Sequence, residues 1–177
     1  MKRVYFAGKF NKKNNSESPL HERLKNDYRA IILGDSKKLT YAQKNLKLTE
    51  NIIYNGPFYC ETASNGDFTS TDCKTVLNEE YKSVKNSDIY VVVFGDKFAA
   101  GSVVELGWAL EMNKEIVIFY KNEENSPYAI KSEYWFPITN AMLKTKRLKV
   151  FKYKEIEEVI DKIKEGKLFK GGMKNEI

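Results

Sequence analysis

Apolar residues follow two rhythms along this chain. Val4-Tyr-Phe-Ala7 is a short unbroken apolar run ending at Gly8, and Ile89-Tyr-Val-Val-Val-Phe94 is a longer one without alternation. Runs of this length, rich in β-branched and aromatic residues, predict strands covered on both faces. Glu115 to Tyr120 and Leu148 to Phe151 read the same way. Helical spacing fills the intervals. A helix is predicted from Ser18 to Ile32, with Leu20, Leu24, Tyr28 and Ile31 or Ile32 on one face. Others are predicted from Thr71 to Asn86, over 102–113, and at the amphipathic stretch carrying Ile156, Val159, Ile160 and Ile163. Two-residue alternation in Leu39-Thr-Tyr41, Leu46-Lys-Leu48 and Ile52-Ile-Tyr54 predicts a small hairpin leading into a further strand. Gly56-Pro57 and Asn65-Gly66-Asp67 mark turns.

Strand and helix therefore take turns, which predicts an α/β protein with a mainly parallel sheet of about five strands. The 177 residues suit one domain, expected over 1–166, with a flexible basic tail at 167–177. No apolar run approaches the roughly 20 residues of a membrane span. Met1-Lys-Arg is followed by too few apolar residues before Lys9 for a secretory signal, so a cytoplasmic protein with reduced Cys60 and Cys73 is expected. The single histidine, His21, and the lack of a Cys/His cluster argue against a metal site. The net charge of +6 changes little, because the lysines are scattered among acids, as in Lys152-Tyr-Lys-Glu-Ile-Glu-Glu158. The denser clusters, Lys12-Lys13, Lys144 to Lys149 and Lys167 to Lys174, are not interleaved with stacking aromatics, which argues against a nucleic-acid polymer as partner.

One acid stands out. Glu105 lies in the first turn of an otherwise apolar predicted helix, just after the 89–94 strand and its glycine-bearing loop. Burying an unpaired carboxylate costs roughly several kcal/mol or forces protonation. Two readings fit. Ser102-x-x-Glu105 spells a capping box, with the Glu reaching back to the Ser amide. Alternatively the acid is functional, since it follows the carboxyl end of a strand, where open α/β sheets bind ligands. Gly107 deletes a side chain from the helix at about 1 kcal/mol in propensity, and a close packing or ligand approach is expected there. The same topology brings the end of the first strand to this crevice, with Tyr5, and draws in Glu80 from the preceding helix. A tyrosine beside a carboxylate orients it, and two acids in different environments suit glycosidic-bond chemistry.

Val4-Tyr-Phe-Ala-Gly-Lys-Phe10, then Asn86-Ser-Asp88, the apolar strand, the glycine loop and Val104-Glu-Leu-Gly-Trp-Ala-Leu110 resemble the nucleoside 2-deoxyribosyltransferase family. The resemblance covers Met1 to Tyr120, and Glu-Leu-Gly-aromatic-Ala is its specific element. It implies a flavodoxin-like (Rossmann-like) three-layer sandwich and transfer of deoxyribose between bases without a cofactor. By position, Glu105 matches the nucleophile that forms a glycosyl-enzyme and Tyr5 the tyrosine that positions it. Glu80 stands where the family usually has an Asp that contacts the sugar and assists the base. Substrate-binding positions implied with them are Gly8, Phe10, Glu61, Asp96, Gly101, Ser102 and Asn140, the last where a neighbouring subunit completes the pocket in some members. One departure is Ala99, where transferases often carry an Asp that meets the base; Asp96 is the nearest substitute. Related hydrolases of nucleoside monophosphates also lack that Asp and hold the phosphate with small hydroxylic residues, a role open here to Ser102 and to Lys9, Lys12 and Lys13. The implied partners are a deoxynucleoside or nucleotide, a free nucleobase and further copies of the chain. A non-catalytic nucleotide-binding module on the same fold is the remaining alternative.

Overall fold

The first apolar run forms the middle of strand β1 (Lys2–Gly8), whose buried side chains divide between two cores. Val4 and Phe6 face one layer of helices, and Tyr5 and Ala7 face the other. This follows from the two-residue period of a strand placed at the centre of a sheet. The computed structural model describes residues 1–9, 18–40, 46–59, 70–96, 99–122 and 148–169. In chain order β1 is followed by α1 (Leu20–Arg23), α2 (Tyr28–Leu33), α3 (Lys37–Thr40), β2 (Leu46–Thr49) and β3 (Ile52–Tyr54). Then come α4 (Ser70–Lys85), β4 (Ile89–Phe94), α5 (Ala100–Glu111), β5 (Glu115–Tyr120), β6 (Leu148–Lys152) and α6 (Ile156–Lys164).

Among the described residues six strands form one sheet in the order β2-β3-β1-β4-β5-β6. All neighbours are parallel except the β2–β3 hairpin at one edge. The five parallel strands repeat the flavodoxin-like order, in which the chain leaves β1 toward one edge and returns on its other side. The expectation of about five strands thus falls short by the antiparallel edge strand, which is short and only partly buried. Every residue of β4 is buried, as its unbroken apolar run requires. One face of the sheet packs Leu24, Ile32, Leu39, Val159 and Ile163 from α1 to α3, α6 and their joints. The opposite face packs Val84 of α4 with Leu106 and Leu110 of α5. On that side Tyr81 of α4 meets Trp108 of α5 edge to face, with ring centroids 5.3 Å apart.

Three predicted elements differ from those observed. The helix predicted over 18–32 is two short helices, because Asp27 caps α2 and accepts from the Arg29 amide, which ends helical geometry at 24–27. Leu39 and Thr40, predicted in β-type alternation, lie in the single turn of α3, where the Thr40 hydroxyl donates to the Lys37 carbonyl. Beyond Gly166 the chain makes a 3-10 turn, Lys167–Phe169, that buries Leu168 and Phe169 against the core; residues 170–177 lie outside the described residues. Among the described residues no helix is long and apolar enough to cross a membrane.

Candidate active site

The crevice between the carboxyl ends of β1 and β4 is the switch point of the sheet, since β3 and β4 depart from β1 in opposite directions. A cavity of about 270 Å³ opens there, lined by Gly8, Lys9, Arg29, Pro57, Tyr59, Glu80, Ala99, Gly101, Ser102 and Glu105. A depression of about 340 Å³ lies at the opposite ends of the strands, against Met1, Thr49 and Phe169, and gathers no comparable chemistry.

Glu105 is buried on the inner face of α5. Helix α5 begins at Ala100 with Ala99 as its N-cap and no side-chain cap, so Ser102 is already inside the first turn. Glu105 therefore does not close a capping box. Its Oε1 accepts a 2.8 Å hydrogen bond from the Tyr5 hydroxyl, and Glu80 of α4 lines the same cavity beside it. Burial, with the neighbouring Glu80 charge adding to it, pushes the Glu105 carboxyl up to about 8. The Tyr5 hydroxyl and the Arg29 cation act against that rise. Glu80 is raised as well, again chiefly by burial. Two neighbouring carboxylates repel each other, so burial and the like charge together favour a proton on the pair, and the two acids titrate as a unit.

Tyr5 is held in place by packing. Its ring stacks on Tyr90 at 5.8 Å, and Tyr90 donates to the Ser102 carbonyl at 2.7 Å, which ties β4 to the first turn of α5. Gly56, at φ 120°, gives the ring room: a Cβ there would sit 3.1 Å from Tyr5 and from the Ser83 Cβ. Gly8 does the same for Tyr28, whose ring would be 3.2 Å from an added Cβ.

The pattern of apolar positions missed Arg29. Its guanidinium is almost wholly buried and gripped in bidentate fashion by Asp27, with both bonds at 2.7 Å. Nη1 donates to the carbonyls of Phe6 and Gly8 at 3.4 and 3.3 Å, and the rings of Tyr28 and Tyr59 lie 5.2 and 5.3 Å from Cζ. The signal was a lone arginine inside the apolar run Tyr28-Arg-Ala-Ile-Ile-Leu33, two residues after an acid placed to cap it.

Of the residues singled out from sequence, Gly8, Glu80, Gly101, Ser102 and Glu105 line the cavity, and Tyr5 reaches it through Glu105. Asp96 does not line it; that carboxylate is exposed and bound to Lys121 and Asn122 at 3.3 and 3.2 Å. Phe10, Glu61 and Asn140 lie outside the described residues, as do Lys12 and Lys13. Gly107 is exposed, and among the described residues an added Cβ would meet nothing, so the close packing expected there is not found. Among the described residues no group of three or more His, Cys, Asp or Glu side chains is arranged to hold a metal ion.

By sequence the chain matches no family model and no curated protein. By structure it is similar to several solved proteins. The Clostridium botulinum CMP N-glycosidase BcmB aligns over 92% of this chain and 97% of its own at 15% identity and a TM-score of 0.48. A 2-deoxyribosyltransferase from Leishmania mexicana aligns over 94% and 99% at 13% identity and a TM-score of 0.45. The chemistry is accordingly read from the pocket's own residues.

Proposed function

We propose that the chain is a nucleoside 2-deoxyribosyltransferase, breaking the N-glycosidic bond of a 2′-deoxynucleoside and passing the sugar to another base. The observation that carries this reading is the meeting of two acids in one cavity, half-buried Glu80 and buried Glu105, with the Tyr5 hydroxyl 2.8 Å from Glu105. The reactive form of the pair carries its proton on Glu80 and its charge on Glu105, so the first step begins with proton transfer from Glu105 to Glu80. A Glu105 carboxylate oxygen then bonds to C1′ while the C1′–N bond breaks, and the departing base takes the proton from Glu80. In the second, an incoming base loses its N–H proton to Glu80, attacks C1′ and releases Glu105. Water in place of the second base yields the free sugar. Tyr5 steadies the carboxylate in the orientation the attack requires, a positioning effect on which such displacements depend. The sequence match of Tyr5 and Val104-Glu-Leu-Gly-Trp-Ala-Leu110 to the deoxyribosyltransferase pattern supports the same roles.

A second reading, hydrolysis of a nucleoside 5′-monophosphate, is favoured by other groups that line the same cavity. There Lys9 offers a cation, and the first turn of α5, with Gly101 and Ser102, offers backbone amides to a phosphate. Assembly into a homo-oligomer is supported by Leu77, Tyr81 and Val104, large apolar side chains exposed on α4 and α5. Light scattering of the purified protein tests it.

The deciding experiment supplies each deoxynucleoside and its 5′-monophosphate, with and without a second base, and follows products by chromatography. A new deoxynucleoside that needs the added base and is lost in Glu105→Ala is the expected result. Free base from monophosphates alone selects the hydrolase. No turnover, with ligand binding unchanged in Glu105→Ala, removes the catalytic reading and leaves a binding module.

A further inference from the structure

Two acids that line one cavity, one buried and one half-buried, are weakly screened by solvent, so a fixed cation beside them weighs heavily on how they share charge. The groups facing the pair come from every element around it. They are Tyr5 of β1, Lys9 beyond it, Asp27, Tyr28 and Arg29 at the start of α2, Tyr59 after β3, and Tyr90 of β4. The four tyrosines are held above their ordinary value by burial and stay neutral through the physiological range. Lys9 is exposed, so water and salt screen it. Among the described residues on the cavity wall, that leaves Arg29 as the buried cation.

The mooring of Arg29 distinguishes it from a substrate clamp. Nε and Nη2 are committed to Asp27, and Nη1 to the carbonyls of Phe6 and Gly8, so four of its five N–H groups are already engaged. Those carbonyls flank the end of the strand that carries Tyr5. The Tyr28 hydroxyl donates to the carbonyl between them, that of Ala7, at 2.7 Å. Asp27 caps α2 and so cannot turn away without unwinding it.

We propose that Arg29 is a positioning residue for the Glu80–Glu105 pair, a moored buried cation that keeps one acid charged while the other holds a proton. Asp27 sets how much of its charge the pair feels. This rests on the carboxyl-pair chemistry proposed above, but its test does not depend on turnover. The carboxyl carbons of Glu80 and Glu105 are followed against pH by NMR in glutamate-labelled protein, with the two signals assigned by their loss in Glu80→Gln and Glu105→Gln. Arg29→Met removes the cation and should raise the titration of the pair by about one pH unit or more. Arg29→Lys, which keeps the charge and loses the fork, should restore part of that shift. Asp27→Asn keeps an oxygen for the cap but frees Arg29 of its counter-charge, so it should move the titration about half a unit or more the other way.

Opposite signs from the two ends of one ion pair are not produced by a purely structural role, which lowers stability in both variants and leaves the titration in place. An unmoved pair, or shifts of the same sign, overturns the proposal; if Arg29→Met does not fold, the sign of the Asp27→Asn shift decides. Opposed shifts without turnover of any nucleoside would leave Arg29's role standing and remove the N-glycosidic reading. Turnover with an unmoved titration would do the reverse.

Discussion

Replacing Glu105 by Gln separates a buried acid from a helix cap through the pH dependence of stability. The Glu105 carboxyl is raised from 4.5 to about 8 in the folded chain, first by burial and then by the Glu80 charge. For an acid raised on folding, the stabilising contribution is complete below the unfolded value and is lost as pH climbs toward the folded one. The loss here falls between about pH 4.5 and pH 8 and amounts to on the order of 5 kcal/mol, the cost of ionising a carboxyl so displaced. Gln keeps an oxygen for the Tyr5 hydroxyl and an N–H for Glu80 but has nothing to ionise. Urea unfolding, followed by tryptophan fluorescence at pH 5, 7 and 9, should show wild type and Glu105→Gln nearly equal at pH 5. By pH 9 the variant should be the more stable by several kcal/mol, up to about 5. If Glu105 served only as a cap, its loss would cost about 1 kcal/mol with little pH dependence. Stability curves that run parallel from pH 5 to pH 9 would refute the reasoning.

Other substitutions test the parts around it. Tyr5→Phe deletes the hydroxyl that donates to Glu105, so it should cost about 1 kcal/mol in stability and move the carboxyl titration upward, read by the same unfolding series and by NMR. Gly56→Ala places a methyl 3.1 Å from the Tyr5 ring at a φ of 120°, and should destabilise by about 1–3 kcal/mol in urea while slowing any turnover that depends on Tyr5. Gly107→Ala adds a methyl that meets nothing on an exposed helix face, and should stabilise by about 1 kcal/mol with activity unchanged. Equal effects at the two glycines would show that neither backbone conformation nor the Tyr5 contact matters.

Much of the sheet was legible because its signals were local. The apolar run at 89–94 has no polar residue to mark a wet face, and of the three segments read as alternating, Leu46–Thr49 and Ile52–Tyr54 are strands and pair with each other, while Leu39 and Thr40 are helical. Glu105 was readable because an acid in an apolar helix is a visible anomaly, Tyr5 because the topology brings the ends of β1 and β4 together, and Glu80, in a polar helix, only through that topology and its place in the family pattern. Other features were hidden for physical reasons. Ser-x-x-Glu spacing is the same at a helix start and one turn in, and only the start of α5 at Ala100 separates the two. Gly107 registers its missing side chain in sequence but not what surrounds it, and among the described residues nothing comes within 4 Å of an added Cβ. Arg29 was passed over because its place is set by contacts to Phe6 and Gly8, more than twenty residues away, which no local periodicity encodes.

Glu80 and Glu105 ride on different helices, and the rings next to them, Tyr81 and Trp108, lock those helices edge to face. The spacing of the two carboxyls is thus a mechanical coordinate, set by how α4 slides along α5. One residue of slip along a helix is about 1.5 Å, enough to make or break a hydrogen bond between the acids. A change confined to the outer ridge, at Tyr81 or Trp108, would therefore retune proton sharing in the crevice without altering any group that lines it.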